Sequence, residues 1–146
     1  MAAKNGNDYQ IWVAAPATTP SFALFSGQQN LNIESSQQTA DASNKTSGTV
    51  AIKIPTLREI TIPVDFVADL PNATGYGVVE TAHKNQTRVV VQVRKDGDAG
   101  TAPDDVIFQA EMWATNLSVN AGLNAALSGS VQFVLAATPT TDLTLA

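Results

Sequence analysis

Apolar residues recur at every second position along most of the chain, and the places where they stop doing so mark its organisation. Tyr9, Ile11 and Val13 alternate with Gln10 and Trp12, Phe22 to Phe25 is again extended, and Leu31 and Ile33 alternate with Asn32 and Glu34. Val50, Ile52 and Ile54 oppose Ala51 and Lys53 in the segment Thr49 to Ile54. The cleanest pattern follows, with Ile60, Ile62, Val64 and Phe66 set against Glu59, Thr61, Pro63 and Asp65. Strict alternation puts one set of side chains on a buried face and the other on a polar one. Thr87 to Arg94, Val106 to Trp113 and Ser130 to Leu135 read the same way. Pro16 and Pro20 end the first strand, and Pro63, which cannot donate to a ladder, predicts an edge position or a bulge unless its nitrogen points away from the neighbouring strand.

Between Asp69 and Asn85 the period lengthens, and Ala73, Tyr76, Val79, Ala82 and His83 fall near one face of a predicted helix. Asp69 or Asn72 suits its cap and Pro71 its first turn, while Gly75 and Gly77 weaken it by roughly 1 kcal/mol each. The stretch from Ser26 to Gly48 is mostly polar, and Ser36 to Gly48 is predicted to be irregular. So long a polar connection lacks the apolar surface to offset its own ordering entropy, which points to a segment that orders against a partner. KDGDAGTAPDD reads as a turn-rich acidic loop, Asn120 to Ser128 as a break, and the tail beyond Thr138 has no assignable partner. Seven or so strands and one helix give a mainly β fold, an antiparallel β-sandwich or barrel with one α-helix, in a single domain spanning 1–146.

Composition narrows the function. A chain of 146 residues buries roughly two-thirds of its unfolded surface. Only 14% of residues are charged, against ~25% in a typical soluble domain, so Ser, Thr, Asn, Gln and Ala must cover much of the surface. Such a surface suits a subunit covered by its neighbours as well as a monomer. The formal charge is −5 and no basic cluster exceeds Arg94-Lys95, which argues against binding through phosphate neutralisation. The absence of cysteine excludes disulfides, thiolate catalysis and Cys-based metal sites. MAAKNGNDYQ does not read as a secretory signal, and no apolar run reaches membrane-span length. The Asn-x-Ser/Thr sequences at Asn44, Asn72, Asn85 and Asn116 are then read as reflecting how common Asn and Thr are.

Catalytic constellations do not emerge. His83, the sole histidine, has no nucleophile or carboxylate placed against it by sequence and reads as a packing or surface residue. Asp96, Asp98, Asp104 and Asp105 do not match the spacing of an EF-hand and read as a solvated acidic loop. Glu59, Asp65 and Glu111 are the carboxylates worth naming for glycoside hydrolysis, whose test is spatial separation. Gly75-x-Gly77 is too short for a phosphate loop and no strand leads into it. No enzyme activity, metal or cofactor is expected. Trp12 and Trp113 lie opposite the regular apolar faces of their strands. Two readings stand for them: packing within the subunit, or anchoring a contact between copies.

Lys4-Asn-Gly6-Asn-Asp8 before an alternating strand, Asp41-Ala-Ser-Asn-Lys45-Thr-Ser-Gly48 before another, and Phe108-Gln-Ala110-Glu-Met-Trp113 with Thr115 to Ser118 and Ser128-Gly129-Ser130-Val131-Gln-Phe133 form a familiar order. It resembles the major tail tube proteins of long-tailed, siphovirus-like bacteriophages, over most of the chain. The chain departs from the family in lacking an aromatic at Thr49-Val50 and in having a longer turn from Asn120 to Leu127. The resemblance implies a structural virion protein, assembled in the bacterial host cytoplasm, whose six-fold rings stack into a tail tube that conducts DNA without binding it. It implies homo-oligomeric contacts, with tail-tip, tape-measure and tail terminator proteins as further partners, and no membrane. By this reading Glu59, Thr61, Asp65, Gln109 and Glu111 face the lumen, and Gln37, Gln38, Thr39, Asp41, Ser43, Asn44, Lys45 and Ser47 make the contact between rings. Trp12 and Trp113 are the candidate anchors between subunits. The rivals are a tube protein of a secretion system and a monomeric β-sandwich binding module, such as one for carbohydrate, with an exposed tryptophan.

Overall fold

The computed structural model describes residues 6–68, 74–95 and 105–144. Eight strands and one helix follow in chain order: β1 (Gln10–Ala14), β2 (Ala23–Leu24), β3 (Gln28–Leu31), β4 (Glu34–Asp41), β5 (Lys53–Val67), α1 (Tyr76–Asn85), β6 (Arg88–Arg94), β7 (Val106–Asn120) and β8 (Ser128–Leu135). All pairings are antiparallel, in the order β2-β1-β6-β7-β8-β5-β3, with β4 also paired to β5. The mainly β, one-helix architecture anticipated from the alternation is the observed one.

The sheet curls until its two edges meet. Phe25, next to β2 at one edge, packs edge-on against Phe66 of β5 near the other, with ring centroids 5.3 Å apart. Gln28 of β3 completes the closure through its side chain. Its Oε1 accepts the Ile11 amide at 2.8 Å, and its Nε2 donates to the carbonyls of Ile11 at 3.2 Å and Phe25 at 2.9 Å. A side-chain amide thus stands in for the ladder bonds a strand would supply. The core inside the curl is built from Ile11 and Val13, from Ile60, Ile62, Val64 and Phe66, from Val89, Val91 and Val93, and from Phe108, Ala110, Met112, Val131 and Phe133.

Helix α1 lays Val79 and Ala82 on this core. It begins at Tyr76 with Gly75 in the cap position, so the expected capping by Asp69 or Asn72 gives way to a glycine cap without a side-chain bond; residues 69–73 lie outside the described residues. It ends at Gln86 in the left-handed conformation, φ 56°. His83 Nδ1 donates to the Ala114 carbonyl at 2.7 Å, tying the helix to β7.

Two further expectations are revised, and Pro63 takes the last of its three options. The segment predicted as irregular from Ser36 is strand through Asp41, because β4 pairs with β5 from Thr61 down to Lys53. Pro63 is neither at an outer edge nor in a bulge. It stands between β8, opposite Gln132, and the gap separating β3 from β4, where its carbonyl accepts the Asn32 amide at 3.3 Å and its missing donor falls where the ladder is already interrupted. The tail does have a partner: after β8 it bends and runs beside β7, with Gln109 donating to the Thr141 carbonyl at 2.9 Å and Thr144 donating to that of Ile107 at 3.0 Å. Lys4 and most of the acidic loop, including Asp96, Asp98 and Asp104, lie outside the described residues.

Candidate functional site

Two surfaces remain once the core is assigned: the sheet face turned away from it, and an arm that leaves the body altogether.

The alternation of β5 and β7 sends Glu59, Thr61, Asp65, Gln109 and Glu111 to that outer face, and the registers bring them together. Thr61 lies opposite Val134, which in turn lies opposite Trp113, while Gln109 faces Gln92 and Glu111 faces Val90. Glu34, opposite Thr61, belongs to the same face. The five residues expected to line a lumen therefore share one surface, though not as free side chains. The Glu59 carboxylate accepts Gln38 Nε2 at 3.0 Å, and Glu111 accepts Arg88 at 2.9 Å. Gln109 accepts Gln92 Nε2 at 2.9 Å, and Gln92 accepts Arg94 Nε at 2.7 Å.

Both tryptophans lie on this same face, each against an arginine of β6. The Arg94 guanidinium sits 4.1 Å from the Trp12 ring centroid, and that of Arg88 sits 5.5 Å from Trp113. Cation–π contact of this kind is worth ~0.5–2 kcal/mol, more when water is excluded. Arg94 is buried, which lowers its pKa, while Asp105 acts in the opposite direction. The sequence separates lumen residues from anchors, whereas the fold puts them side by side, with half-buried Trp12 next to edge strand β2.

The arm is the hairpin of β4 and the first half of β5. Every residue of β4 is exposed, as are Lys53 to Glu59. Polar cross-links keep it extended: Arg58 Nε donates to Ser35 Oγ at 2.8 Å, and Thr56 Oγ1 to the Gln38 carbonyl at 3.1 Å. At its tip the Ser43 amide donates to Asp41 at 2.9 Å, and Ser43 Oγ accepts the Ile52 amide at 2.8 Å. These contacts lower the Asp41 pKa, the Ser43 backbone bond most of all. A single 3-10 turn at Lys45–Ser47 and a left-handed Gly48, φ 67°, reverse the chain. Of the eight residues expected in an inter-ring loop, Gln37, Gln38, Thr39 and Asp41 are strand, and Ser43, Asn44, Lys45 and Ser47 form the tip. The arm also holds what the polar stretch alone does not disclose. Val50 (66% exposed), Ile52, Ile54 and Leu57 (67%) are uncovered by the rest of the chain.

Chemistry of other kinds finds little footing. Among the described residues no cluster of three or more His, Asp or Glu could hold a metal ion. A cleft of about 540 Å³ is lined by Gly6, Tyr9, Gln10, Gln28, Gln29, Asn30 and Leu31, with no titratable pair converging on it.

No protein-family model and no curated protein sequence matches the chain. Solved structures do. A chain from the tail of an empty gene transfer agent particle, refined helically with C6 symmetry, superposes with a TM-score of 0.76 at 17% identity, over 95% of this chain and 98% of that one. A chain of the native gene transfer agent virion gives 0.74 at 18% identity, over 97% and 99%. The SPP1 tail tube gives 0.73 at 15% identity, over 96% of this chain and 80% of that chain. At such identities the likeness is one of architecture, and the architecture of this chain is that of a phage tail tube subunit.

Proposed function

We propose that this chain is a structural virion protein that polymerises as stacked hexameric rings into a phage tail tube, a conduit for DNA delivery into the host. The observation that carries the reading is the arm: a hairpin whose aliphatic residues Val50, Ile52, Ile54 and Leu57 have no cover in their own subunit. Exposed apolar surface of this kind marks a protein contact. Strand β4, paired only to β5 among the described strands, supplies a template for pairing between subunits, and a head-to-tail contact that closes by rotation makes a ring. Tail-tip, tape-measure and terminator proteins are the further partners of such a tube.

The outer face supports the lumen assignment in sign. Over the body it presents Asp65 and Glu111 against Arg88, with Arg94 buried against Trp12, and Glu34 and Glu59 continue it at the root of the arm. Six copies at −5 give a formal charge of about −30 per ring, which repels rather than retains a polyanion. No catalytic step belongs to this reading.

Electron microscopy of the concentrated protein, alongside sedimentation velocity, tests it. Rings and tubes are expected, and a monomer at every concentration, with or without a tail-tip initiator, would refute it. Deleting Thr39 to Thr46 should leave a folded subunit that does not polymerise, since the deleted segment makes no core contact. Full-length tubes from that variant would remove the arm from the contact between rings.

A further inference from the structure

The arm needs a receptor, and the strand that carries it points to one. β5 begins in the arm and ends at Val67, opposite Ser128 of β8, and Ser128 lies opposite Asn120 of β7. At ~3.3 Å per residue the two ends of this strand of 15 residues lie as much as ~45 Å apart. At the end far from the arm tip sits the β7–β8 turn. There Gly122 to Ala125 close through an Ala125 amide bond to the Gly122 carbonyl at 3.3 Å, with Asn124 left-handed at φ 58°. A positive φ at the third position fits a tight turn that places Leu123 at its outer corner. Leu123 is 94% exposed, and Val119 beside it is half exposed.

We propose that this turn is the docking point for the arm of a second copy of the chain, with Leu123 packing against Val50, Ile52 and Ile54 of the copy above or below. The inference rests on the polymerisation reading and deepens it. Apolar surface uncovered at both ends of one strand is what a head-to-tail axial contact requires, because the donor patch of each subunit must meet a different patch on the next. Charge agrees. No residue from Asn116 to Phe133 is charged, so the turn offers the aliphatic side chains of the arm an uncharged seat.

The cysteine-free chain makes the test direct. V50C/L123C and I54C/L123C doubles are oxidised after assembly, and at least one should give ladders of disulfide-linked subunits, whereas I54C/L143C should not. Separately, an arm variant (I54D/L57D) and a turn variant (L123D), each checked for native circular dichroism, should fail to stack alone. Mixed, they should form pairs that grow no further, because each pair holds one intact arm facing one intact turn. Wild-type tubes with L123D stacking normally, or cross-links only through L143C, would overturn this inference and leave the polymerisation reading standing. A wild-type chain that never polymerises would overturn both.

Discussion

Gln28 shows how much a single side chain decides. Its amide satisfies both polar groups of Ile11, a residue with no solvent exposure, and the Phe25 carbonyl besides. Truncation would leave a buried amide without a partner, which costs about 1–3 kcal/mol. Gln28→Ala should therefore lower unfolding stability by about 2 kcal/mol in a urea titration, and Gln28→Glu, which keeps only the acceptor, should fall between. At the other end of the chain Asp142 accepts two bonds from Arg58, and these hold its carboxyl below the ordinary carboxylate range, helped by the Leu143 amide. Because the folded-state pKa is the depressed one, the stabilisation is complete above the unfolded value and fades as the pH falls toward the lowered value. The protection of the Thr141 and Thr144 amides, taken relative to their intrinsic exchange at each pH, should thus fall below about pH 4, and Asp142→Asn should lower it at every pH and flatten that dependence.

At the scale of elements, β5 is two strands in one. From Ile60 onward its alternate residues are buried, and before that every residue is exposed. Ile62→Ala, at a position with no exposure, should cost about 3–4 kcal/mol. Ile54→Ala, eight residues away beyond a bulge that turns it to the opposite face, should change stability by no more than about 0.5 kcal/mol. Equal losses in chemical denaturation would mean that the arm folds back onto the body. This division limits what the sequence can disclose. Period 2 found the buried half, β6, β7 and β8, because alternation reports a boundary between core and solvent. It missed β4, whose Glu34 to Asp41 are exposed throughout and so need no apolar face. It also read Val50, Ile52 and Ile54 as an ordinary strand face, for a pattern gives the spacing of apolar residues and not what covers them.

For the whole molecule, the fold was legible where long-range pairing follows from local pattern, and the site was legible only in part. Glu59, Thr61, Asp65, Gln109 and Glu111 do share a face, as parity within each strand requires once the strands are paired. Their entanglement with Arg88 and Gln92 could not be read, since it depends on register between segments far apart in the chain. Reversing Glu59 and Asp65 to Lys should leave tubes intact while slowing DNA passage, scored as ejection kinetics in a reconstituted particle; unchanged ejection would take those residues out of the lumen.

The continuity of β5 has a mechanical consequence. Whatever grips the arm pulls directly on the backbone of the core, along the axis of the strand. The hydrogen bonds that join β5 to β8 and β3 run across that axis, so tension loads them together in shear instead of peeling them one by one. A subunit strung in this way behaves as a link in a chain under tension, and a tube of such links can flex and be pulled without its weakest bond setting its strength.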